Sequence, residues 1–459
     1  MTRTDTSLLA PELRWTTIGA NALIFLAAFD ALAVTTVMPT VARDLNGENL
    51  YSAAFAGTLA ASTIGTVAAG GWSDRRGPAR PLLIGIVVFL VGLAVSALAP
   101  AMGVFIAGRV MQGLGSGAVN VALFVVVARL YPASLHPRVF GTFAAAWVVP
   151  SLIGPPVAGL VADEFGWHWV FVGMAMLVVV AGGFVVPALL RLRSTSTPPP
   201  EESRGRGNVL LALLVAAAVM AMSITADDPG VWTVPIVVAA LAIGVIAVRP
   251  LLPRGTMRAR RGLPALVLLR GIIAAAFFAT EIYLPYLLHE RHGLSSAASG
   301  LVLTVGAVSW ALASGIQGRA TRMTHAFALR VSAVLIVAGI GIELLAALLD
   351  LAPVALAVGW FVAGGGMGLV FPRLSTLVLG HSSGRDQGFN SAALTIADSA
   401  ASATATALVG LVFVALGGAS QHGAFVAALA LTTAIALAAV PVSFRGEERG
   451  AALERPTTG

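Results

Sequence analysis

Cysteine is absent from the 459 residues, which excludes a disulfide framework, a thiolate metal site and a cysteine nucleophile. Charge is scarce: Asp, Glu, Lys and Arg make up 11% of the chain, while hydrophobic residues reach 58%. So little polar material cannot cover a soluble globule, and the composition is that of an integral membrane protein. No phosphate-binding loop of the G-x-x-x-x-G-K-[ST] type occurs, so nucleotide drive is excluded unless a partner supplies it. The histidines, His136, His168, His289, His292, His325, His381 and His422, fall in predicted loops or at the ends of apolar runs. No two of them sit at metal-binding helical spacing within a span. HERH at 289–292 reads as part of a solvated loop, and GGGMG at 364–368 as close helix packing or a bend. Neither an enzyme nor a bound cofactor or metal is expected.

What the chain has in abundance is apolar sequence in long runs. A hydrocarbon core about 30 Å thick takes roughly 20 helical residues to cross. Fourteen runs qualify: 16–39, 51–72, 81–100, 103–129, 138–162, 168–190, 208–225, 231–248, 263–288, 296–317, 326–348, 352–378, 387–415 and 421–444. None alternates with a period of two, so helices rather than barrel strands are predicted. Basic residues test the topology independently. All are Arg, and every one lies in alternate, predicted cytoplasmic segments except Arg43 and Arg291 in external loops and Arg109, Arg270 and Arg373 within spans. By the positive-inside rule both termini are cytoplasmic, with the polar arm at 1–15 retained rather than cleaved. The net charge of +7 is therefore spread over many membrane-flanking segments, as topology and anionic lipid require, and no nucleic-acid partner is expected. Arginine to the exclusion of lysine suggests a GC-rich, bacterial genome.

Two polar stretches punctuate the spans. RLRSTSTPPPEESRGRG at 191–207 is rich in Pro, Ser and charge, and RPLLPRGTMRARRG at 249–262 is basic; neither continues a helix. The predicted organisation is a six-helix bundle at 1–190, a linker at 191–207, a transmembrane hairpin at 208–248, a second linker at 249–262, and a six-helix bundle with its tail at 263–459. Two parallel six-helix halves are the internal repeat of a large transporter class that binds substrate near the midplane.

GGWSDRRGPAR at 70–80 resembles the G-x-x-x-D-R-x-G-R-R loop of the major facilitator superfamily. Gly70, Asp74, Arg75, Gly77 and Arg80 match, and Pro78 and Ala79 depart. Physically, such an Asp can accept from a neighbouring helix N-terminus and pair with Arg, forming a latch between conformational states; topogenic Arg in a Gly turn is the plainer alternative. RVMQGLGSGAVN at 109–120 resembles the R-x-x-Q-G-x-G motif of the same superfamily's fourth helix, with Arg109, Gln112, Gly113 and Gly115 in place. GTFAAAWVVPSLIGPPVAG at 141–159 resembles its antiporter signature through Gly141, Gly154, Pro155 and Gly159, with Pro150 and Ala158 replacing glycines. FDALAVTTVMPTVARDL at 29–45 is similar to the first-helix motif of the fourteen-helix drug:proton antiporter branch. There Asp30, Val37 and Pro39 hold position, and Leu32 and Thr35 replace its Thr and Asn. GWHWVF at 166–171 and YLPYLLHERHGLSSAASGL at 283–301 resemble further stretches of that branch. The resemblance spans nearly the whole chain and implies an all-α fold of two pseudo-symmetric six-helix bundles plus a central two-helix hairpin.

Ionisable residues inside spans are functional candidates, because each is costly unless paired or hydrated. At 1.5 Å per residue, Asp30 and Arg109 both lie about 21 Å from the cytoplasmic side. They can pair or exchange partners with a proton, and Asp30 is read either as a protonation site or as a static partner of Arg109. Asp398, about 16 Å deep in a small, hydroxylated stretch, is a candidate for coupling or substrate charge, or a packing group bonded to Ser or Thr. Glu281 lies near the outer end of its span, where it serves an outer gate, attracts cations, or snorkels. Glu343 is read as structural and Arg373 as snorkelling. Arg270 either pairs with an acid or reaches the headgroups.

The resemblance implies proton-coupled export of hydrophobic or amphipathic, often cationic, compounds by alternating access in a bacterial cytoplasmic membrane. Partners are then a small-molecule substrate, protons and lipid, and a monomer is expected. An exporter of an endogenous lipid or secondary metabolite is the alternative within the fold, and a non-transporting receptor or scaffold the alternative outside it.

Overall fold

The computed structural model describes residues 13–132, 146–193, 205–225, 230–319, 323–382 and 387–446, with positions 8, 10, 135, 139, 142 and 143 besides. Among these residues fourteen α-helices follow one another. They are α1 (Arg14–Asp44), α2 (Tyr51–Arg76), α3 (Ala79–Ala97), α4 (Met102–Leu130), α5 (Val148–Phe165), α6 (His168–Arg193), α7 (Gly205–Thr225), α8 (Thr233–Val248), α9 (Leu263–His292), α10 (Ser296–Arg319), α11 (His325–Leu348), α12 (Pro353–Gly380), α13 (Gln387–Ala415) and α14 (His422–Ser443). No described residue lies in a strand. Backbone groups without water must bond within their own segment, and the helix is the element that does this for a single apolar run. Twelve of the helices are long and apolar enough to cross a membrane. The other two are α5, 18 residues with Pro155 and Pro156 inside it, and α7, whose apolar part is Val209–Thr225.

Six helices pack alike on either side of the α7–α8 hairpin. In α1–α6 the fourth helix lies against the second and third, the third against the sixth, and the first against the fifth and sixth; α9–α14 repeat each of these contacts. Glycine sets the register. The triplet Gly113, Gly115, Gly117 brings α4 against Thr58 and Ser62 of α2 and against Gly85 and Phe89 of α3. Gly364, Gly366 and Gly368 bring α12 against Gly306 and Trp310 of α10 and against Ser332 and Ile336 of α11 in the same way. A Cβ at these positions would press on backbone atoms of the neighbour. Close approach of this kind replaces the hydrophobic drive that is missing between helices in lipid. The GGGMG run is thus the second-half counterpart of GLGSG.

The halves meet along two seams, α2 with α13 and α5 with α10. The hairpin lies over the first: α7 packs on both α2 and α13, and α8 packs on α7. Val234 and Ile246 of α8 are each 70% exposed, a face suited to hydrocarbon. The second seam is the work of the glycine-proline motif of α5, with Gly159 against Ser296 and Ala297, and Pro155 against Gly300.

Candidate functional site: two ion pairs and a closed end

Asp30 of α1 and Arg109 of α4 are both buried, and Arg109 Nη1 donates to Asp30 Oδ2 at 3.1 Å and Oδ1 at 3.4 Å. The same nitrogen donates to Gln112 Oε1. Gln112, one turn along α4, is fixed in turn by donating from Nε2 to Gly92 O (3.1 Å) and Ser96 Oγ (2.8 Å) of α3. Arg109 Nε has no partner among the described residues. A single guanidinium nitrogen therefore carries both acceptors, and the pair is one-pronged rather than the bidentate fork that holds carboxylates most firmly. The shared depth read from the sequence places these two side chains correctly.

The second half holds its pair differently. Arg270 of α9 donates from Nε to Asp398 Oδ1 and Oδ2 of α13 at 2.7 and 2.8 Å, and from Nη1 to Phe371 O of α12 at 2.9 Å. Its guanidinium carbon lies 3.0 Å from the centroid of the Phe371 ring. Asp398 is thus not a free anion, and Arg270 turns to an acid rather than to headgroups. Arg373 also departs from the sequence reading: it is 5% exposed and donates from Nη1 to Met323 O and Thr324 O. It braces the turn before α11 instead of snorkelling.

Of the acids within spans, two remain outside these pairs among the described residues. Glu281 of α9 is half-buried and has no ionic partner among the described residues. Glu343 of α11 is fully buried, and neither carboxyl oxygen has a hydrogen-bond partner among the described residues; Gly359 of α12 makes room for its chain.

In the glycine register Trp360 stands four residues before Gly364, as Arg109 stands four before Gly113. Asp30 reaches Arg109 from the first helix of its half; Phe277, on the first helix of the other, stacks on Trp360 with centroids 4.3 Å apart. An ion pair in one half corresponds to an aromatic stack in the other. Only the repeated G-x-G-x-G spacing in the sequence could have signalled this.

At the end of the bundle that carries the α1–α2 turn, here the distal end, the halves are joined side chain to side chain. Arg43 at the end of α1 meets His289 and lies 3.7 Å from Glu290. His289 donates from Nδ1 to Leu294 O (2.8 Å), which leaves Nε2 to accept from Arg43. HERH is thus the last turn of α9 rather than a loop, with His289 and Glu290 meeting Arg43 and Glu290 and Arg291 exposed to solvent. Thr40 Oγ1 and Ser296 Oγ are 3.2 Å apart, Asp163 accepts from Ala297 N–H at 3.2 Å, and Tyr51 donates to Ile282 O at 2.8 Å. The Tyr51 ring stacks on Tyr286 at 4.5 Å. These contacts close the distal end.

The motif at 70–80 is not all turn: α2 runs through Arg76 and α3 starts at Ala79, and Gly77 ends α2 at φ 79° and donates its N–H to Ser73 O, a conformation that a side chain would strain. Gly70 sits beside Val121 of α4, and Arg80 is exposed on the first turn of α3. The side chains of Asp74 and Arg75 lie outside the described residues, as does Gly141.

Residues 21–406 match the family model of the Major Facilitator Superfamily. The chain is 25% identical over 385 residues to the multidrug transporter protein MdtP of Bacillus subtilis, covering 80% of this chain and 69% of that protein. It is 30% identical over 158 residues to multidrug resistance protein 3 of the same organism, covering 34% of this chain and 31% of the relative. Among solved structures, a POT family transporter in complex with 5-aminolevulinic acid matches with a TM-score of 0.68 at 14% identity, over 94% of this chain and 96% of that one.

Proposed function

The chain belongs to the Major Facilitator Superfamily, and from that membership we propose that it is a proton-coupled exporter of amphipathic, often cationic, compounds. It is a multi-pass membrane transporter; in this reading it sits in a bacterial cytoplasmic membrane with both termini inside, and works as a monomer on small molecules and protons. The observation that carries the reading is the buried, one-pronged Asp30–Arg109 pair. A proton arriving at Asp30 cancels its charge, and Arg109 is then left to Gln112 alone. The pair thus has two arrangements of different charge, and the proton chooses between them. A transporter needs such a bistable element to be driven by a gradient.

The distal contacts give the second element. With α1, α2 and α5 fastened to α9 and α10 at that end, the conformation supports an outward-closed state. Opening to the outside then requires Arg43 to leave His289 and Glu290, and Thr40 to part from Ser296. The motif at 70–80, Gly70, Asp74, Arg75, Gly77 and Arg80 at the junction of α2 and α3, is assigned the latch on the cytoplasmic side.

Both parts are tested in proteoliposomes under an imposed pH gradient. Adding a lipophilic cation is expected to release protons in step with its uptake, and a protonophore to stop accumulation. Substrate flux with no proton flux refutes coupling. Because the chain has no cysteine, Thr40→Cys with Ser296→Cys introduces a single cross-linkable pair. Oxidation is expected to stop substrate and proton exchange together, and reduction to restore both. Full exchange by the cross-linked protein would show that the distal end need not open.

A further inference from the structure

We propose that the linker joining α8 to α9 is a docking surface for anionic phospholipid, its five arginines holding phosphate headgroups of the leaflet at that end of the second half. From Pro229 to Thr280 the sequence contains no acid, yet Arg249, Arg254, Arg258, Arg260 and Arg261 all fall within residues 249–261. The linker at 191–207 differs, since Glu201 and Glu202 lie among its arginines. One linker carries its own counter-charge and the other does not.

The acid-free linker is also folded. Arg249–Leu251 and Thr256–Arg258 are single 3-10 turns, and Gly255 O accepts from the N–H groups of both Arg258 (3.1 Å) and Arg260 (3.2 Å). Gly255 and Ala259 stand in the left-handed region, at φ 94° and 46°, and turn the chain back on itself. Leu251, Leu252, Thr256 and Ala259 are buried, and Gly262 N–H donates to Arg445 O, just beyond α14, at 3.0 Å. All five arginines of the linker are exposed, as is Met257. The loop therefore turns its apolar residues inward and its charge outward, and none of the five is in an ion pair among the described residues.

Position decides which anion answers them. Because α9 ends at His292 among the distal contacts, its start lies at the opposite end of the bundle, and the linker lies there with it. The other flank is α8, whose Val234 and Ile246 are each 70% exposed on a face suited to hydrocarbon. Both flanks are membrane ends, so headgroups are within reach without recruitment of any partner. Like charges held on a compact loop repel one another until counter-ions arrive, and a leaflet supplies several phosphates at once. Guanidinium matches phosphate with two parallel donors, and the exposed Met257 suits the boundary between headgroup and chain. In the orientation proposed above this leaflet is the cytoplasmic one.

The test counts lipids bound to the purified full-length protein by native mass spectrometry, during titration with phosphatidylglycerol or with phosphatidylcholine of the same chains. Wild type is expected to prefer phosphatidylglycerol, and Arg258→Gln with Arg260→Gln to weaken that binding roughly tenfold to thirtyfold while phosphatidylcholine is unaffected. Arg14→Gln with Arg76→Gln removes the same charge from exposed positions at the same end of the first half, and is expected to stay within about threefold of wild type. Lysine at 258 and 260 keeps the charge and should keep most of the affinity. Equal losses in the two glutamine pairs would reduce the effect to diffuse attraction by basic residues and overturn the site. A wild type without lipid preference, or a lysine pair as weak as the glutamine pair, would overturn it too. So would displacement of the lipid by micromolar inorganic phosphate, which would make the loop a site for a free anion.

Discussion

Asp30→Asn is expected to abolish pH-driven accumulation of substrate while leaving a folded protein that still exchanges substrate down its own gradient. Asparagine keeps the size of the side chain and one acceptor oxygen for Arg109 Nη1, which already has Gln112 as its other acceptor. The stability loss is that of one charge-assisted bond becoming neutral, on the order of 1–2 kcal/mol. What disappears is the group proposed to take the proton, so in that reading the two arrangements of the pair no longer differ in charge and the gradient has nothing to act on. Arg109→Met is the contrasting case. It strands the Asp30 carboxylate at a buried position with no counter-charge, and a cost of about 3–5 kcal/mol is expected. Thermal unfolding in detergent, counterflow exchange and pH-driven uptake, measured on both variants, separate the roles. Accumulation by Asp30→Asn that still follows the pH gradient would remove Asp30 from the coupling step.

Depth was legible in the sequence and azimuth was not, and the outcomes divide along that line. Counting residues from the ends of two apolar runs put Asp30 and Arg109 level, and the first and fourth helices do bring them together. The same counting left Arg270 undecided, because its partner is 128 positions away and the side on which α9 faces α13 depends on packing that periodicity does not encode in a helix apolar all round. Arg373 failed for the same reason: its position near a span end fits snorkelling, but its side of α12 faces the turn before α11. HERH was polar and near a predicted boundary, so it read as a loop, yet α9 runs on through His292 and caps at Gly293 in the left-handed region. Helix ends overran the apolar runs elsewhere too, with α1 extending to Asp44 where the run closes at 39, since a helix need not stop where the hydrocarbon does. The apolar runs located the fourteen helices seen among the described residues, twelve of which are long and apolar enough to cross a membrane. The correspondence of the two glycine triplets was present in the letters, and became visible only when their contacts were compared.

Glu281→Gln is expected to impair transport of monovalent lipophilic cations far more than that of neutral compounds of similar size, whereas Asp398→Asn should impair both classes alike. Depth counted along the sequence alone favours Asp398, the deeper of the two. The geometry reverses the order. Both oxygens of Asp398 are engaged by Arg270 Nε at 2.7 and 2.8 Å, so a cation approaching it meets a neutralised pair. Neutralising Asp398 instead leaves a guanidinium, 9% exposed at its side chain, without its counter-ion. The damage falls on the junction of α9, α12 and α13, through which substrates of any charge must be moved. Glu281 has no such partner among the described residues, and it lies one helical turn from Phe277 and Phe278 on the same helix. A cation leaving water needs a nearby anion, and Glu281, unlike the fully buried Glu343, is an unpaired acid that is partly exposed. Its half-buried position moderates the effect, so the expected selective loss is about 1.5–3 kcal/mol, or roughly tenfold to a hundredfold. Parallel uptake assays with a cation and a neutral analogue on both variants decide the matter. A cation-selective defect in Asp398→Asn with none in Glu281→Gln would mean that the Arg270–Asp398 pair opens to receive substrate, and the unpaired acid would lose its role.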